Sequence, residues 1–178
     1  MPIRLPLDRL LVPVRQIGAR VNVTNLARYA SALLLLPLSP SDGDWKALPH
    51  AALLRALYER SDLYRKSGGV HTSIFVEAHG EAPRFVAEDI GRHNTLDKLQ
   101  GMALLEGIPT QGGLIMASGR ISSEMLFKAA IMGVPIVGSR TSPTNLALAV
   151  AERLNITVCG YVRQGSMNVY THPQRIAA

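Results

Sequence analysis

Between Leu114 and Gly160 the chain repeats one pattern, a four-residue apolar run followed by a stretch with helical spacing. The runs are LIMA (114–117), PIVG (135–138) and ITVC (156–159). They are too short for buried helices and lack the polar alternation of half-exposed strands, so they read as strands covered on both faces. ISSEMLFKAAIMG, ending at Gly133, and SPTNLALAVAERLN, with Pro143 just inside its start, fill the intervals as helices. Upstream, HTSIFVEAH and APRFVAED flank a Gly-Glu pair and predict a hairpin over 70–77 and 84–88. NTLDKLQGMALLEG follows as an amphipathic helix turning Leu96, Leu99, Met102, Ala103 and Leu105 inward. ITVCGYVRQGSMNVYTH closes the chain with one or two strands. A hairpin followed by strand and helix alternation specifies an α/β domain, three-layer α/β/α, around a mixed and largely parallel sheet.

The first part of the chain is less regular. HAALLRALYERSDLYRKSG predicts one helix, with Leu53, Leu54, Leu57, Tyr58 and Leu63 apolar and Gly68 as its stop. PLSPSDGD is a loop whose Asp44 is placed to cap that helix. Short strands are expected before it, with a short helix at NLARYASALLLL. This gives an extension over residues 1–45 and a domain over 46–178. Its apolar ALLLLPL segment is suited either to pack on the core or to form a homodimer interface.

Composition narrows the function. At 47% hydrophobic and 5% aromatic the 178 residues bury a largely aliphatic core. A formal net charge of +6 suits a polyanionic partner: nucleic acid, a nucleotide or a phosphate-bearing cofactor. The single cysteine, Cys159, excludes an internal disulfide and a cysteine-rich zinc site, and points to a reducing, cytoplasmic setting. No h-region of a signal peptide is expected, and the longest apolar run, 32–38, is too short to span a bilayer, so no membrane role is expected.

The polar groups fall where such sheets work, at the carboxyl ends of strands and the helix starts that follow. EDIGRHN, SGRISSE and SRTSPTN each carry an arginine, Arg92, Arg120 and Arg140, beside hydroxyl or amide groups: Asn94, Ser118, Ser139, Thr141. Two readings are open. Asn94, Ser122 and Thr141 or Ser142 are plain N-caps with surface arginines, or the three helix starts share one anion pocket. The repetition along one sheet edge favours the pocket. His93 reads as a structural hydrogen-bonding group rather than a base. Glu88 and Asp89 are expected to pair with Arg92 or Arg120 and hold the loop. His71 follows a Gly-Gly turn, where a ligand can approach the backbone or a strand simply begin. Arg163, Gln164 and Gly165 form either a phosphate-holding turn or an ordinary hairpin turn.

Six segments in order, SGGVHTS, EDIGRHNTLDKLQG, SGRISSEMLFKAA, GVPIVGSRTSPTNLA, LNITVCGYVRQG and NVYTHPQRI, closely resemble the C-terminal two-thirds of the formate dehydrogenase accessory sulfurtransferase family (FdhD/NarQ) over residues 67–176. The resemblance implies a cytidine-deaminase-like core and a cytoplasmic assembly factor. Such a factor takes sulfur as a persulfide from a cysteine desulfurase. It passes the sulfur to the molybdenum cofactor, in its bis(molybdopterin guanine dinucleotide) form, before that cofactor enters formate dehydrogenase. The family's cofactor-binding stretch maps onto Tyr161, Val162, Arg163, Gln164, Gly165 and Ser166. Arg92, His93, Asn94, Ser118, Gly119, Arg120, Ser139, Thr141, Tyr170 and His172 complete the expected contacts. The residues before 46 are then a remnant of the family's N-terminal region.

The departure is the family's CxxC sulfur carrier, which has no counterpart upstream of Ser67. No serine or threonine replaces a thiolate in persulfide chemistry. Cys159 alternates like a buried strand residue and is only a weak candidate carrier. The expectation is a cofactor-binding paralogue without sulfur transfer. Two rivals share the fold or the charge. A zinc deaminase needs a Glu where Thr95 stands and a Pro-Cys-x-x-Cys where GRISSE stands, so no zinc is expected. A nucleotide- or nucleic-acid-binding protein without any sulfurtransferase role is the alternative; against nucleic acid stands the lack of an aromatic stacking platform.

Overall fold

The computed structural model describes Leu38 and residues 50–176, and the expectations for residues 1–45, Leu38 apart, lie outside them. Helix α1 (His50–Glu59) and the short α2 (Asp62–Ser67) lead into the hairpin β1 (His71–Val76) and β2 (Phe85–Asp89). Then come α3 (Arg92–Glu106), β3 (Leu114–Ala117), α4 (Ser123–Ile131), β4 (Ile136–Ser139), α5 (Asn145–Leu154), β5 (Thr157–Gly160) and β6 (Asn168–Val169). A 3₁₀ turn, Pro173–Arg175, follows. The six strands form one sheet in the order β2-β1-β3-β4-β5-β6. Only the β3–β4 and β4–β5 pairs are parallel; β1 runs antiparallel to β2 and β3, and β6 antiparallel to β5. The sheet is therefore mixed, with two of its five pairings parallel and these at the centre, which corrects the largely parallel sheet expected from the sequence.

Strand alternation sorts the core into two halves. On one face Ile74, Val76, Leu114, Met116, Ile136 and Cys159 pack against Leu53 and Leu57 of α1. On the other, Ser73 bonds Thr95 of α3, and α3, α4 and α5 pack side by side. This is the three-layer arrangement the sequence specifies. Among the described residues no helix is long and apolar enough to cross a membrane.

Four local expectations are corrected. The helix expected through Gly68 breaks at residues 60–61, because the buried Ser61 hydroxyl turns back to the Leu57 carbonyl and on to Thr72 (2.9 Å). The Glu88 carboxylate then takes the Leu63 and Tyr64 N–H groups (3.0 and 2.9 Å) and starts a second helix, which Gly68 does end in the left-handed region. In α3, Leu96, Leu99 and Ala103 are buried, but Leu105 is 90% exposed and Met102 only half-buried. Helix α5 is capped by Thr144, whose hydroxyl accepts from Ala147 N–H (3.2 Å), and Pro143 lies before that cap. The cap of α3 is Gly91, not Asn94, and carries no side-chain bond; only Ser122 caps as expected.

Candidate functional site

The carboxyl ends of β3, β4 and β5 lie along one edge of the sheet. Because β1 runs against β3, its first residue, His71, arrives at that edge, and because β2 runs against β1, so does Asp89. The turn between β5 and β6 completes it. All the polar loops singled out in the sequence therefore meet along one edge.

Backbone and hydroxyl groups sew the loops together. The Ser139 hydroxyl, itself fully buried, donates to the Gly119 carbonyl (2.6 Å) and accepts from Thr141 N–H (3.1 Å). Ile121 N–H donates to Ser142 O (3.3 Å) and Thr144 N–H to Ile121 O (3.0 Å). From the last turn, Tyr161 N–H donates to Thr141 O (3.1 Å), Val162 N–H to Ser139 O (2.9 Å) and Arg163 Nη1 to Arg140 O (2.6 Å). Gly119 has a packing reason. A Cβ there would sit 3.0 Å from His71 Nδ1 and 3.2 Å from Arg92 Cδ. The Ser118 hydroxyl accepts from Thr72 N–H (3.0 Å) and lies 3.5 Å from His71 Nδ1. A cleft of about 400 Å³ opens between this edge and the first two helices. Tyr58, Tyr64, Gly68, Gly69, His71, Ser118, Arg140 and Thr141 are on its walls.

The charges are unevenly balanced. Away from the edge, Arg84 pairs with Glu106 and Glu77, and Lys128 with Asp97. At the edge, Arg92, Arg120, Arg140 and Arg163 have no carboxylate partner among the described residues. The nearby acids are spent elsewhere, which corrects the expected pairing with Arg92 or Arg120. Glu88 starts α2. Asp89 accepts from Lys98 (2.7 Å), Gly91 N–H (2.9 Å) and Asn94 (3.0 Å). Lys98 above all, then those two donors, holds the Asp89 carboxyl down at about 2. Arg92 Nε is buried without a hydrogen-bond partner.

Single residues settle into distinct places. His93 Nε2 lies 2.7 Å from the Ser122 hydroxyl and 3.9 Å from Glu124, bridging the starts of α3 and α4. Burial lowers its basicity, and burial with the Arg92 charge does the same to His71. Gly165 and Ser166 are exposed, as are Tyr161, Arg163 and Gln164; Gln164 also reaches the α1 surface beside Leu54 and Arg55. Val162 differs from its neighbours: its side chain is in the core, so only its backbone faces the turn. Tyr170 lies past β6, yet its ring reaches back to Gly160, 2.9 Å from where a Cβ would stand. His172 is not brought to the edge. Its carbonyl accepts from the Thr157 hydroxyl at the opposite end of β5, and its ring faces Glu152 (3.5 Å).

Cys159 is fully buried among Leu53, Ile74, Met116 and Val162, and burial pushes its thiol up to about 12. Thr95 is buried between Ser73 and the Arg92 carbonyl, so no acid stands where a deaminase needs one. Among the described residues no group of three His, Cys, Asp or Glu side chains gathers. The edge carries guanidinium and hydroxyl donors, a set suited to anions, while its named loop N–H groups are taken by the loops themselves. Tyr58 and Tyr64 were not legible as site residues: helical apolar spacing marks Tyr58 as core, and no pattern singles out Tyr64.

The family model described as FdhD/NarQ matches residues 18–177. The "Sulfur carrier protein FdhD" of Bacillus subtilis is 50% identical over 125 residues, covering 70% of this chain and 47% of that protein. The protein of the same name from Thermoplasma volcanium is 46% identical over 114 residues, covering 64% and 40%. The chain thus spans about half the length of the curated relatives it matches. A crystal structure of a candidate formate dehydrogenase accessory protein from Desulfotalea psychrophila superposes with a TM-score of 0.73 at 34% identity. That match covers 82% of this chain and 61% of the other.

Proposed function

As the chain belongs to the FdhD/NarQ family, we propose that it is a formate dehydrogenase accessory factor that holds the molybdenum cofactor as cargo at this sheet edge. The cargo is the bis(molybdopterin guanine dinucleotide) form, and its role here is binding, not sulfur carriage. The observation that carries the reading is the set of edge arginines, Arg92, Arg120, Arg140 and Arg163, gathered along one sheet edge without carboxylates among the described residues, while Arg84, Lys98 and Lys128 are paired. The pyrophosphates of a guanine dinucleotide match such donors, because a guanidinium fork binds two phosphate oxygens at once. Arg140, Thr141, Ser118 and the turn from Arg163 to Ser166 are the residues assigned to hold it, with the exposed rings of Tyr161 and Tyr170 beside them.

The relatives are named sulfur carriers, and carriage needs a thiolate. This chain's one cysteine is in the core, so sulfur destined for the cargo would be carried as the outer sulfur of a persulfide on a cysteine outside this chain, loaded by a cysteine desulfurase and left as a thiol after transfer. Formate dehydrogenase is the recipient of the cargo, and the cytoplasm is the compartment that this exchange requires.

Calorimetric titration with GDP against ADP tests the binding. GDP is expected to bind in preference to ADP, and Arg163→Ala to weaken it by the roughly 1.5–3 kcal/mol of a charge-assisted bond, about 10- to 150-fold. Binding of neither nucleotide would sink the reading. Complementation of a strain lacking its own FdhD tests the role; restored formate dehydrogenase activity in the absence of any other family protein would show that the sulfur route differs from the family's CxxC route.

A further inference from the structure

We propose that the cleft of about 400 Å³ beside the first two helices is a phosphate-ester subsite whose cation, Arg140, is set in place by Tyr58, a positioning residue. The inference rests on the anion-binding reading above and adds to it a residue from outside the strand-end loops. Arg140 leaves the end of β4 and crosses to α1, where its guanidinium lies over the Tyr58 ring, 5.0 Å from the centroid. One of its N–H groups donates to the Tyr58 hydroxyl. Neither a carboxylate nor any other acceptor takes its side chain among the described residues. A guanidinium has five N–H donors, so most of the fork is left for a ligand.

The arginine is held from three directions. Tyr58 fixes the plane of its head, Arg163 Nη1 anchors its carbonyl at 2.6 Å, and its own N–H reaches Ala117 O at 3.3 Å. Tyr58 is itself supported by Tyr64, whose ring centroid is 6.0 Å away at 57°. The other polar side chains of the cleft are the Ser118 and Thr141 hydroxyls and His71, beside apolar Leu57 and Val70, while the Gly68 and Gly69 N–H groups are already taken by the Tyr64 carbonyl (2.8 Å) and the Ser67 hydroxyl (3.3 Å). An unrestrained arginine must be ordered as the anion binds, whereas one stacked and bonded in advance need not be. The ring of Tyr58 supplies the stack and its hydroxyl the bond, so the two contributions can be removed separately.

The experiment titrates the full chain and its Tyr58→Phe, Tyr58→Leu, Arg140→Ala and Tyr58→Leu/Arg140→Ala variants with GDP and with guanosine. Tyr58→Leu should weaken GDP roughly two- to tenfold, the cost of ordering a rotamer-rich side chain, and leave guanosine unchanged. Tyr58→Phe, which keeps the stack, should lose less. In the Arg140→Ala background, Tyr58→Leu should change nothing further, the non-additivity expected of one residue acting through another. Circular dichroism checks that the variants fold. Equal weakening of GDP and guanosine, or additive effects of the two substitutions, would overturn the inference. So would an Arg140→Ala chain that binds GDP normally, which leaves the anion site with Arg163 and the wider reading intact. Failure of the unaltered chain to bind GDP removes both.

Discussion

Replacing Cys159 by alanine separates a structural thiol from a sulfur carrier. The side chain is fully buried, with Leu53, Leu57, Ile74, Met116 and Ile136 in the same apolar cluster. Deleting the sulfur removes about one methylene's worth of transfer energy, ~0.8 kcal/mol, and leaves a cavity of similar consequence, together about 1–2 kcal/mol. For a domain of this size that lowers Tm by roughly 3–6 °C. With the thiol at about 12, only a few molecules in 10⁵ are thiolate at pH 7.5. Native protein should therefore resist both iodoacetamide and persulfide labelling by a desulfurase with cysteine, while urea-unfolded protein reacts at once. The pH dependence has a definite sign. The folded thiol keeps its proton up to about 12 and the unfolded one loses it near 9.0, so above 9 the unfolded state binds fewer protons. Stability is then lost as pH rises from 9 towards 12, by about 1.4 kcal/mol per unit, and the wild-type minus Cys159→Ala difference isolates it. Rapid labelling of the native thiol, or loss of complementation in a Cys159→Ala chain whose stability is unchanged, would refute the argument.

Leu99→Ala, at a fully buried position of α3, should cost about 2–5 kcal/mol in urea denaturation, whereas Leu105→Ala, 90% exposed, should stay within about 0.5 kcal/mol. Gly113→Ala should destabilise by about 1–3 kcal/mol, since its Cβ would meet Phe75 Cε2 at 2.5 Å and the Val76 carbonyl at 2.7 Å. Gly101→Ala, inside α3 with nothing within 4 Å of the new atom, should stabilise by roughly 0.5–1 kcal/mol in the same assay. The Asp89 carboxyl is held at about 2, so its support of the loop is present above its ordinary value of 3.8 and lost as pH falls towards 2. An NMR titration should show that low midpoint rising in Lys98→Ala.

What the sequence revealed and what it hid divide along one physical line. Apolar runs such as LIMA and PIVG declare two-faced strands, because burial on both faces is written into consecutive residues. The hairpin, the strand-end loops and the core role of Cys159 follow from the same local patterns. Partners set by tertiary approach do not appear. Nothing near Glu88 announces that it will start a helix 24 residues earlier in the chain, and nothing near Asp89 favours Lys98 over Arg92. Leu105 satisfies helical periodicity yet faces solvent, because periodicity marks a helix face without saying whether another element covers it. His172 belongs to a specific motif but sits three residues down β5 from the edge, a distance only the strand register reveals. Tyr58 is 82 residues from Arg140, and helical spacing gives it an ordinary core reading.

The bonds from Tyr161, Val162 and Arg163 to the loop after β4 carry a consequence for synthesis. The edge is closed by chain that leaves the ribosome twenty or more residues after the loop it fastens. Until the turn at residues 163–166 is out, Val162 is not in the core and the carbonyl of Arg140 has no anchor. The earlier strands and helices can collapse while the polypeptide is still attached, since their contacts are nearer in sequence. The arginine-bearing edge then matures last, so a chain stopped before residue 163 holds the earlier strands and helices without the bonds that fasten the loop after β4.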